Sequence, residues 1–168
     1  MITTLDQFYE EAARHVPAFD AFASRHALAG SARADHICWK CESHESFESL
    51  RALLEPASEY LYQSSISKRR IAVIRLQTLI ATSLGAISFL ELSDQKPDGS
   101  QKDGFDHIEV YPTVGTYESM VTKLALTEKI TEVKRPHHTT HDITISTNFL
   151  FRCTRGPLIE KIKKTEMM

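Results

Sequence analysis

A short motif occurs twice in this chain of 168 residues, and it limits the possible folds more than any other feature of the sequence. Asp35-His36-Ile37 recurs as Asp106-His107-Ile108, 71 positions later. Phe47-Glu48-Ser49-Leu50 recurs in related form as Tyr117-Glu118-Ser119-Met120, 70 positions later. Two matches in the same order and at nearly the same offset indicate an internal duplication, and a duplication determines the architecture of a fold.

The hydrophobic pattern around each copy predicts the same set of elements. The strands predicted for the first copy cover residues 33–41, 57–66, 70–77 and 86–93. Those predicted for the second copy cover 105–111, 130–134, 140–146 and 148–153. A helix follows the first strand of each copy, at 43–54 and 116–126. Two βαβββ modules paired edge to edge therefore predict an α+β fold with a curved, mixed sheet of eight strands.

Segments outside the two modules complete a single predicted domain over residues 1–168. The N-terminal segment has apolar residues at three- and four-residue steps, which is typical of an amphipathic helix, and Thr4 with Gln7 has the spacing of a capping box. The predicted parts are the N-terminal helix (1–30), the first module (33–93), a polar linker (94–104), the second module (105–155) and a C-terminal helix and tail (156–168).

Composition excludes several classes of partner. A net charge of −2 gives no basic footprint for nucleic acid or for an anionic membrane surface. The N-terminus lacks the basic and apolar regions of a signal peptide, and no apolar run is long enough to span a bilayer. Three cysteines form no disulfide framework, so we expect reduced thiols and a cytoplasmic location. The sequence leaves monomer and homodimer equally open.

Strand alternation predicts where the repeated histidines point, because successive side chains lie on opposite faces of a sheet. Ile37 and Trp39 in the first strand, and Ile108 and Val110 in the fifth, are expected to pack against the helices. The opposite face is predicted to carry Ala34, His36 and Cys38 in the first strand, and Phe105, His107, Glu109 and Tyr111 in the fifth. Both histidines are therefore expected to face the concave side of the sheet, called the cup below.

Two neutral imidazoles that converge in a cup are natural ligands for a divalent metal such as zinc, nickel, iron or manganese. Glu91, the only acid in an otherwise apolar strand, is the favoured third ligand. Glu109 competes for that role, since it shares the predicted face of His107. Two histidines and a carboxylate leave coordination positions open for a substrate.

Other polar residues are weaker candidates. Arg75 and Arg152 each interrupt an apolar strand, and either could meet an anionic substrate in the cup. Cys38 and Cys41 have the spacing of redox and zinc motifs, but residues three apart in a strand point to opposite faces. A histidine cluster at a predicted turn could bind metal or line an entrance, although solvated histidines are the commoner outcome there; its members are His137, His138 and His141.

With these residues assembled, the chain resembles the vicinal oxygen chelate superfamily, the group of glyoxalases, bleomycin-resistance proteins and dioxygenases. It is most similar to the small YecM-like branch. The motifs that carry the resemblance are Ala34-Asp35-His36-Ile37, Phe89-Leu90-Glu91-Leu92 and Gly104-Phe105-Asp106-His107-Ile108-Glu109.

The resemblance implies metal ligands on the first, fourth, fifth and eighth strands, and the first three positions are His36, Glu91 and His107. The eighth strand offers Arg152 where a glutamate ligand and base would be expected, which speaks against a glyoxalase reaction. What the resemblance implies is thus a metal-dependent isomerase, lyase or dioxygenase that acts on a small substrate with neighbouring oxygens. Glu109, Arg152 and Arg75 are the candidate catalytic residues. The alternative is a protein that binds metal or a small ligand in the same cup without turnover.

Overall fold

The chain, described by a computed structural model over residues 1–58, 60–66, 68–135 and 138–166, forms eight strands and four α-helices in those residues. The strands are β1 (Ala32–Lys40), β2 (Tyr60–Ile66), β3 (Arg69–Ile80), β4 (Ile87–Ser93), β5 (Gly104–Pro112), β6 (Thr131–Lys134), β7 (Thr139–Ser146) and β8 (Phe149–Cys153). The helices are α1 (Leu5–Arg25), α2 (His44–Leu54), α3 (Tyr117–Ala125) and α4 (Leu158–Glu166), with a 3-10 helix at Glu55–Ala57. None of the described helices has the length and apolar character needed to cross a membrane.

One mixed sheet contains all eight strands, in the order β2-β3-β4-β1-β5-β8-β7-β6. At its centre β1 and β5 pair antiparallel, while β1 pairs parallel with β4 and β5 pairs parallel with β8. Each half of the sheet is thus one βαβββ module, and the modules meet through their first strands. The predicted α+β fold class is confirmed.

The duplication extends to side-chain packing. In each module the glutamate of the repeated helix motif forms an ion pair with an arginine from a distant element: Arg70 with Glu48, and Arg155 with Glu118. The same arginines lie over the aromatic ring of the motif, with Cζ 4.5 Å and 4.4 Å from the ring centroid. A guanidinium over an aromatic face is attracted by the ring quadrupole, so the two copies share one local arrangement.

Helix α1 packs across the boundary between the modules. Phe8 lies 5.3 Å from Phe105 of β5 and 6.4 Å from Trp39 of β1, measured between ring centroids. Phe22 lies 4.7 Å from Phe151 of β8. A buried phenylalanine contributes about 1.5–3 kcal/mol through loss of apolar surface to water, so these contacts hold the helix against both halves of the sheet.

Residues 94–103, within the predicted linker, contain no helix or strand but are held against the sheet by hydrogen bonds. The side-chain amide of Gln101 donates to the backbone carbonyls of Cys41, Ser93 and Asp94, at 2.8, 3.2 and 2.9 Å. Asp103 accepts from the hydroxyl of Ser46 at the start of α2. The segment is therefore an ordered part of the rim of the cup.

Asp94 provides a test of this anchoring. Its buried carboxylate accepts hydrogen bonds from Arg70 Nε and His44 Nδ1, both at 2.7 Å. Burial alone would raise the pKa of Asp94, but these partners outweigh it and lower the pKa. A lowered native pKa stabilises the fold above the unfolded pKa of about 4, and that stability is lost as the pH falls through the native value. We expect Asp94→Asn to lower the free energy of unfolding at pH 7 by about 2 kcal/mol, and by less at pH 3.

Urea unfolding at the two pH values measures this effect. Asp98→Asn, an exposed aspartate of the same segment, is the control and is expected to change the free energy of unfolding by less than about 0.5 kcal/mol. Equal stability of Asp94→Asn and the native protein at pH 7 would contradict the prediction.

Candidate metal centre

Two β-bulges, one in each module, shape the centre of the sheet. The pairing of β1 with β5 shifts by one residue at Asp35 and again at Asp106. A bulge places two residues of one strand opposite one residue of its partner, so the alternation of faces is interrupted there. Ala34 and Phe105 consequently belong to the hydrophobic core. The prediction that these two residues share the face of the histidines was wrong, because it assumed unbroken alternation.

The bulges also let neighbouring side chains interact. In a regular strand an aspartate and the following histidine would point to opposite faces. Here Nδ1 of His36 donates to Oδ2 of Asp35, and Nδ1 of His107 donates to Oδ2 of Asp106, both at 2.7 Å. A carboxylate on Nδ1 orients the ring and leaves Nε2 as the atom available to a metal, which is the usual arrangement around metal-binding histidines.

The two imidazoles converge with carboxylates at the floor of the cup, where the ring centroids of His36 and His107 are 6.0 Å apart. Nε2 of His36 lies 2.9 Å from Oε2 of Glu109 and 3.6 Å from Oε2 of Glu91. Nε2 of His107 lies 3.9 Å from Oε2 of Glu109. Ligand atoms around one tetrahedral ion with bonds near 2.1 Å would be about 3.4 Å apart, so this spacing fits a metal.

Donor atoms form two compact groups among the described residues. One atom each from His36, His107 and Glu109 lie within 4.8 Å of one another, and so do atoms from Cys38, Glu91 and His107. His107 belongs to both groups. Glu91 and Glu109, the two candidates for the third ligand, therefore both lie beside the histidine pair, with Glu109 closer to His36.

Nε2 of His36 is the atom that tests the fit of a metal most directly. It is buried and makes no hydrogen bond of acceptable direction, although Glu109 is only 2.9 Å away. Nearly all buried polar atoms in folded proteins have a partner, so an unpaired one calls for an explanation. A metal ion bound by this nitrogen and its neighbours would satisfy it.

The charges at this floor are strongly coupled. Burial alone would raise the pKa of Glu91, but His36 and His107 outweigh it and lower the pKa to about 2. The pKa of Glu109 is likewise held well below its usual range, chiefly by His36 against the effect of burial. The pKa of His36 is in turn raised well above its ordinary value, because Glu109 and Asp35 outweigh the effect of burial. A proton and a metal ion therefore compete for His36.

Arg152 occupies the position in the second module that Glu91 occupies in the first, as the parallel pairings of β4 and β8 show. Its Nη1 donates to Nε2 of His107 at 3.1 Å, and its Nε and Nη2 bind both carboxylate oxygens of Asp142 at 2.8 Å. Burial together with Arg152 lowers the pKa of His107. A guanidinium thus stands where the resemblance expects a carboxylate on the eighth strand, and Glu109 supplies a carboxylate from the adjacent strand.

Above this floor lies a cavity of about 580 Å³. Its lining residues include Cys38, Glu91, His107, Glu109, Arg135, His138 and Arg152. His36 is buried beneath it. Arg75 is exposed and does not line this cavity, so its proposed contact with substrate stays a prediction.

The cysteine pair and the histidine cluster, the two weaker candidates from the sequence, lie largely outside the group of ligand atoms around His36. Cys41 belongs to the hydrophobic core while Cys38 lines the cup, so these cysteines face opposite sides as predicted. In the histidine cluster, His138 lines the cavity, His141 pairs with the hydroxyl of Tyr117, and His137 lies outside the described residues.

Sequence reasoning missed the acids that hold the site. The signal for Asp35 and Asp106 was present, since each precedes a histidine in the repeated motif, but regular alternation would place them on the face opposite the histidines. Asp142 gave no local signal, because its pairing with Arg152 depends on the register of β7 with β8.

Replacing a supporting carboxylate tests this arrangement. Asp106 orients His107 and also forms an ion pair with Lys40 at 2.7 Å. We expect Asp106→Asn to weaken divalent metal binding by about 10- to 100-fold, the usual cost of losing such a partner, while the fold is retained. Isothermal titration with zinc measures the change. Asp103→Asn, in the preceding loop and outside this contact, serves as control, and equal affinities of the two variants would contradict the role of Asp106.

Comparison with known proteins identifies the family of this chain. A family model described as YecM protein matches residues 4–149. The chain belongs to the YecM family. No curated protein matches it.

Among solved structures, a structural genomics target described as Protein EC4020 is similar to this YecM-family chain, with a TM-score of 0.71 and 21% sequence identity. The alignment covers 99% of this chain and 98% of that one, and at this identity it shows the shared fold. Two complexes of Streptomyces coelicolor methylmalonyl-CoA epimerase variants with 2-nitronate-propionyl-CoA also match, with TM-scores of 0.48 and 16% identity. They cover 72% of this chain and 94% of the epimerase.

Proposed function

We propose that this chain is a metal-binding protein of the vicinal oxygen chelate type, and that it catalyses an isomerase, lyase or dioxygenase reaction on a small substrate with neighbouring oxygens. The observation that carries the proposal is the convergence of two imidazoles and two carboxylates below an open cavity, at a buried Nε2 of His36 that makes no well-directed hydrogen bond. A reduced, cytoplasmic setting remains our expectation.

In this proposal His36 and His107 hold the ion together with a carboxylate. Glu91 is the ligand that the resemblance implies, and Glu109 is the closer of the two to His36. The four residues offer two nitrogen donors and one or two oxygen donors without a ligand from β8. Zinc, nickel, iron and manganese all accept such a donor set.

The chemistry follows from the chain's own residues. A bound divalent ion would act as a Lewis acid on the substrate oxygens. Glu91 and Glu109 are both ionised at neutral pH, because their pKa values are lowered, so a carboxylate of this pair that does not bind the ion would be available to accept a proton. Arg152, held in place by Asp142, keeps its guanidinium beside His107 and can orient a negatively charged substrate group.

A second function is favoured by one observation. Arg152 stands at the eighth-strand position from which the resemblance expects both a ligand and a base. A cup without that base can hold metal or a small ligand without turnover. The alternative is thus a non-catalytic binding protein that uses the same residues.

Metal analysis of the purified chain separates these functions. The metal content is measured by mass spectrometry, and stripped protein is reloaded with zinc, nickel, iron or manganese. Oxygen uptake and a panel of α-keto acids, hydroxy acids and methylglyoxal adducts then test for turnover. Turnover that needs metal supports the enzyme, and bound metal with no turnover on any substrate supports the binding protein. Failure of all four metals to bind would remove the enzyme and the metal-binding alternative, and would leave only a cup that binds a small ligand without metal.

A further inference from the structure

The wall of the cup carries more positive than negative groups, in contrast to the chain as a whole. Six lysines and arginines line the cavity against three carboxylates, whereas the full chain has a net charge of −2. The basic residues are Lys40, Lys68, Arg69, Lys96, Arg135 and Arg152, and the acidic ones are Glu91, Asp98 and Glu109. An excess of one sign of charge in a cleft attracts ligands of the opposite sign.

Two of these cations are already neutralised. Arg152 is bound by Asp142, and Lys40 lies 2.7 Å from Asp106. Within the described part of the chain, no carboxylate oxygen lies within 4.0 Å of the charged nitrogens of the other four. The remaining positive charge of the cavity is therefore carried by groups that form no ion pair within this distance.

Arg69 and Arg135 are the two guanidinium groups in this unneutralised set, and both are partly buried. Arg69 donates through Nη1 to the side-chain oxygen of Gln101 at 2.6 Å, while its buried Nε has no acceptor. Arg135 donates through Nη1 to the hydroxyl of Thr140. Burial and the nearby Arg152 lower the pKa of Arg135. Withdrawing a guanidinium from water without an anion is unfavourable, so both groups are suited to receive one.

The two arginines approach the cavity from different modules. Arg69 begins β3, which lies on one side of the central β1–β5 pair, and Arg135 directly follows β6 at the far edge on the other side. Both line the same cavity above His107 and Glu109. A ligand that engages them therefore lies over the candidate metal centre.

We propose that Arg69 and Arg135 form an oxyanion-binding subsite, and that the substrate of this cup is a small molecule that carries a carboxylate or phosphate group. This inference rests on the proposed function in naming a substrate, but the subsite itself requires no metal. Guanidinium groups bind carboxylates and phosphates through paired N–H donors, which is the chemistry that both kinds of ligand share.

The experiment uses the full chain stripped of metal with a chelator that is then removed. Malonate, inorganic phosphate and the neutral analogue malonamide are titrated by calorimetry at low ionic strength. We expect an oxyanion to bind and malonamide not to bind. Arg69→Gln and Arg135→Gln are each expected to weaken oxyanion binding about tenfold, the effect of losing one charge-assisted contact. Tighter binding of malonate identifies a carboxylate ligand, and tighter binding of phosphate a phosphate ligand.

Lys134→Gln is the matched control, because Lys134 neighbours Arg135, is exposed, and does not line the cavity. Its oxyanion affinity is expected to stay within twofold of the native protein. Arg135→Lys, which keeps the charge, is expected to recover part of the loss and guards against a misfolded Gln variant. Equal affinities of native protein and both Gln variants, or equal binding of malonamide, would overturn the subsite. Zinc titration of the same variants shows separately whether the metal centre is intact.

Discussion

Replacing His36 by alanine is expected to remove the divalent metal from this protein. Native protein should retain about one ion per chain after dialysis, the expectation for a site with two imidazole ligands and a carboxylate. Nε2 of His36 lies 2.9 Å from Glu109 and 3.6 Å from Glu91, so its loss leaves two carboxylates opposite a single imidazole. We expect affinity to fall by more than about 100-fold, beyond the range seen for supporting residues. His107→Ala is expected to have the same effect.

Metal content after dialysis, measured by mass spectrometry, checks this prediction. His44→Ala is the matched control, because the His44 side chain is 77% exposed and lies outside the cup. Circular dichroism and urea unfolding show whether each variant is folded. A folded His36→Ala variant that retains metal at the native stoichiometry would contradict the proposed centre. An equal loss of metal in His44→Ala would contradict it as well.

Replacing Arg152 by glutamine is expected to lower the stability of the fold and to raise its affinity for a divalent metal. The substitution breaks a buried bidentate pair and leaves Asp142, which is 8% exposed, without its cation. Leaving one partner of such a pair uncompensated costs about 3–5 kcal/mol, so the free energy of unfolding should fall by that amount. Divalent metal affinity should rise at least about tenfold, because a hydrogen bond to Nε2 of His107 and a neighbouring positive charge are both removed.

Urea unfolding and competition with a fluorescent metal indicator measure the two effects separately. The double variant Arg152→Gln with Asp142→Asn should regain most of the lost stability, because the uncompensated charge is gone. Arg155→Gln is the control: its ion pair with Glu118 is exposed on both sides, and such pairs contribute about 0–1 kcal/mol. A metal affinity that falls in Arg152→Gln would show that the guanidinium supports the metal centre instead of competing for it.

Much of the architecture could be predicted from the sequence. The repeat of Asp35-His36-Ile37 and its neighbouring helix motif required two similar modules, and the exposed edge of each first strand could pair with its copy. Helices α2 and α3 begin within one residue of the predicted limits, since capping residues Ser43 and Thr116 mark those ends. The histidines and Glu91 followed from periodicity and from an acid in an apolar strand.

The acidic residues that hold the two histidines could not be predicted in the same way. A β-bulge has no reliable residue signature when no glycine is involved, so regular alternation placed Ala34 and Phe105 away from the core and gave no reason to set Asp35 and Asp106 beside the histidines. The local pattern also could not show which of Glu109 and Glu91 lies closer to His36, because their distances to His36 depend on how three strands pair.

The sequence by itself determined that this protein would contain two modules with one histidine each. Only the tertiary structure decided how those histidines are held, with Asp35 and Asp106 behind them and Arg152 between His107 and Asp142. The physical reason is that periodicity reports which face of an element is apolar, whereas strand register and bulges set the contacts within the polar face. These contacts matter for the stability of the fold because the groups are buried, and a buried charge without a partner would cost several kcal/mol.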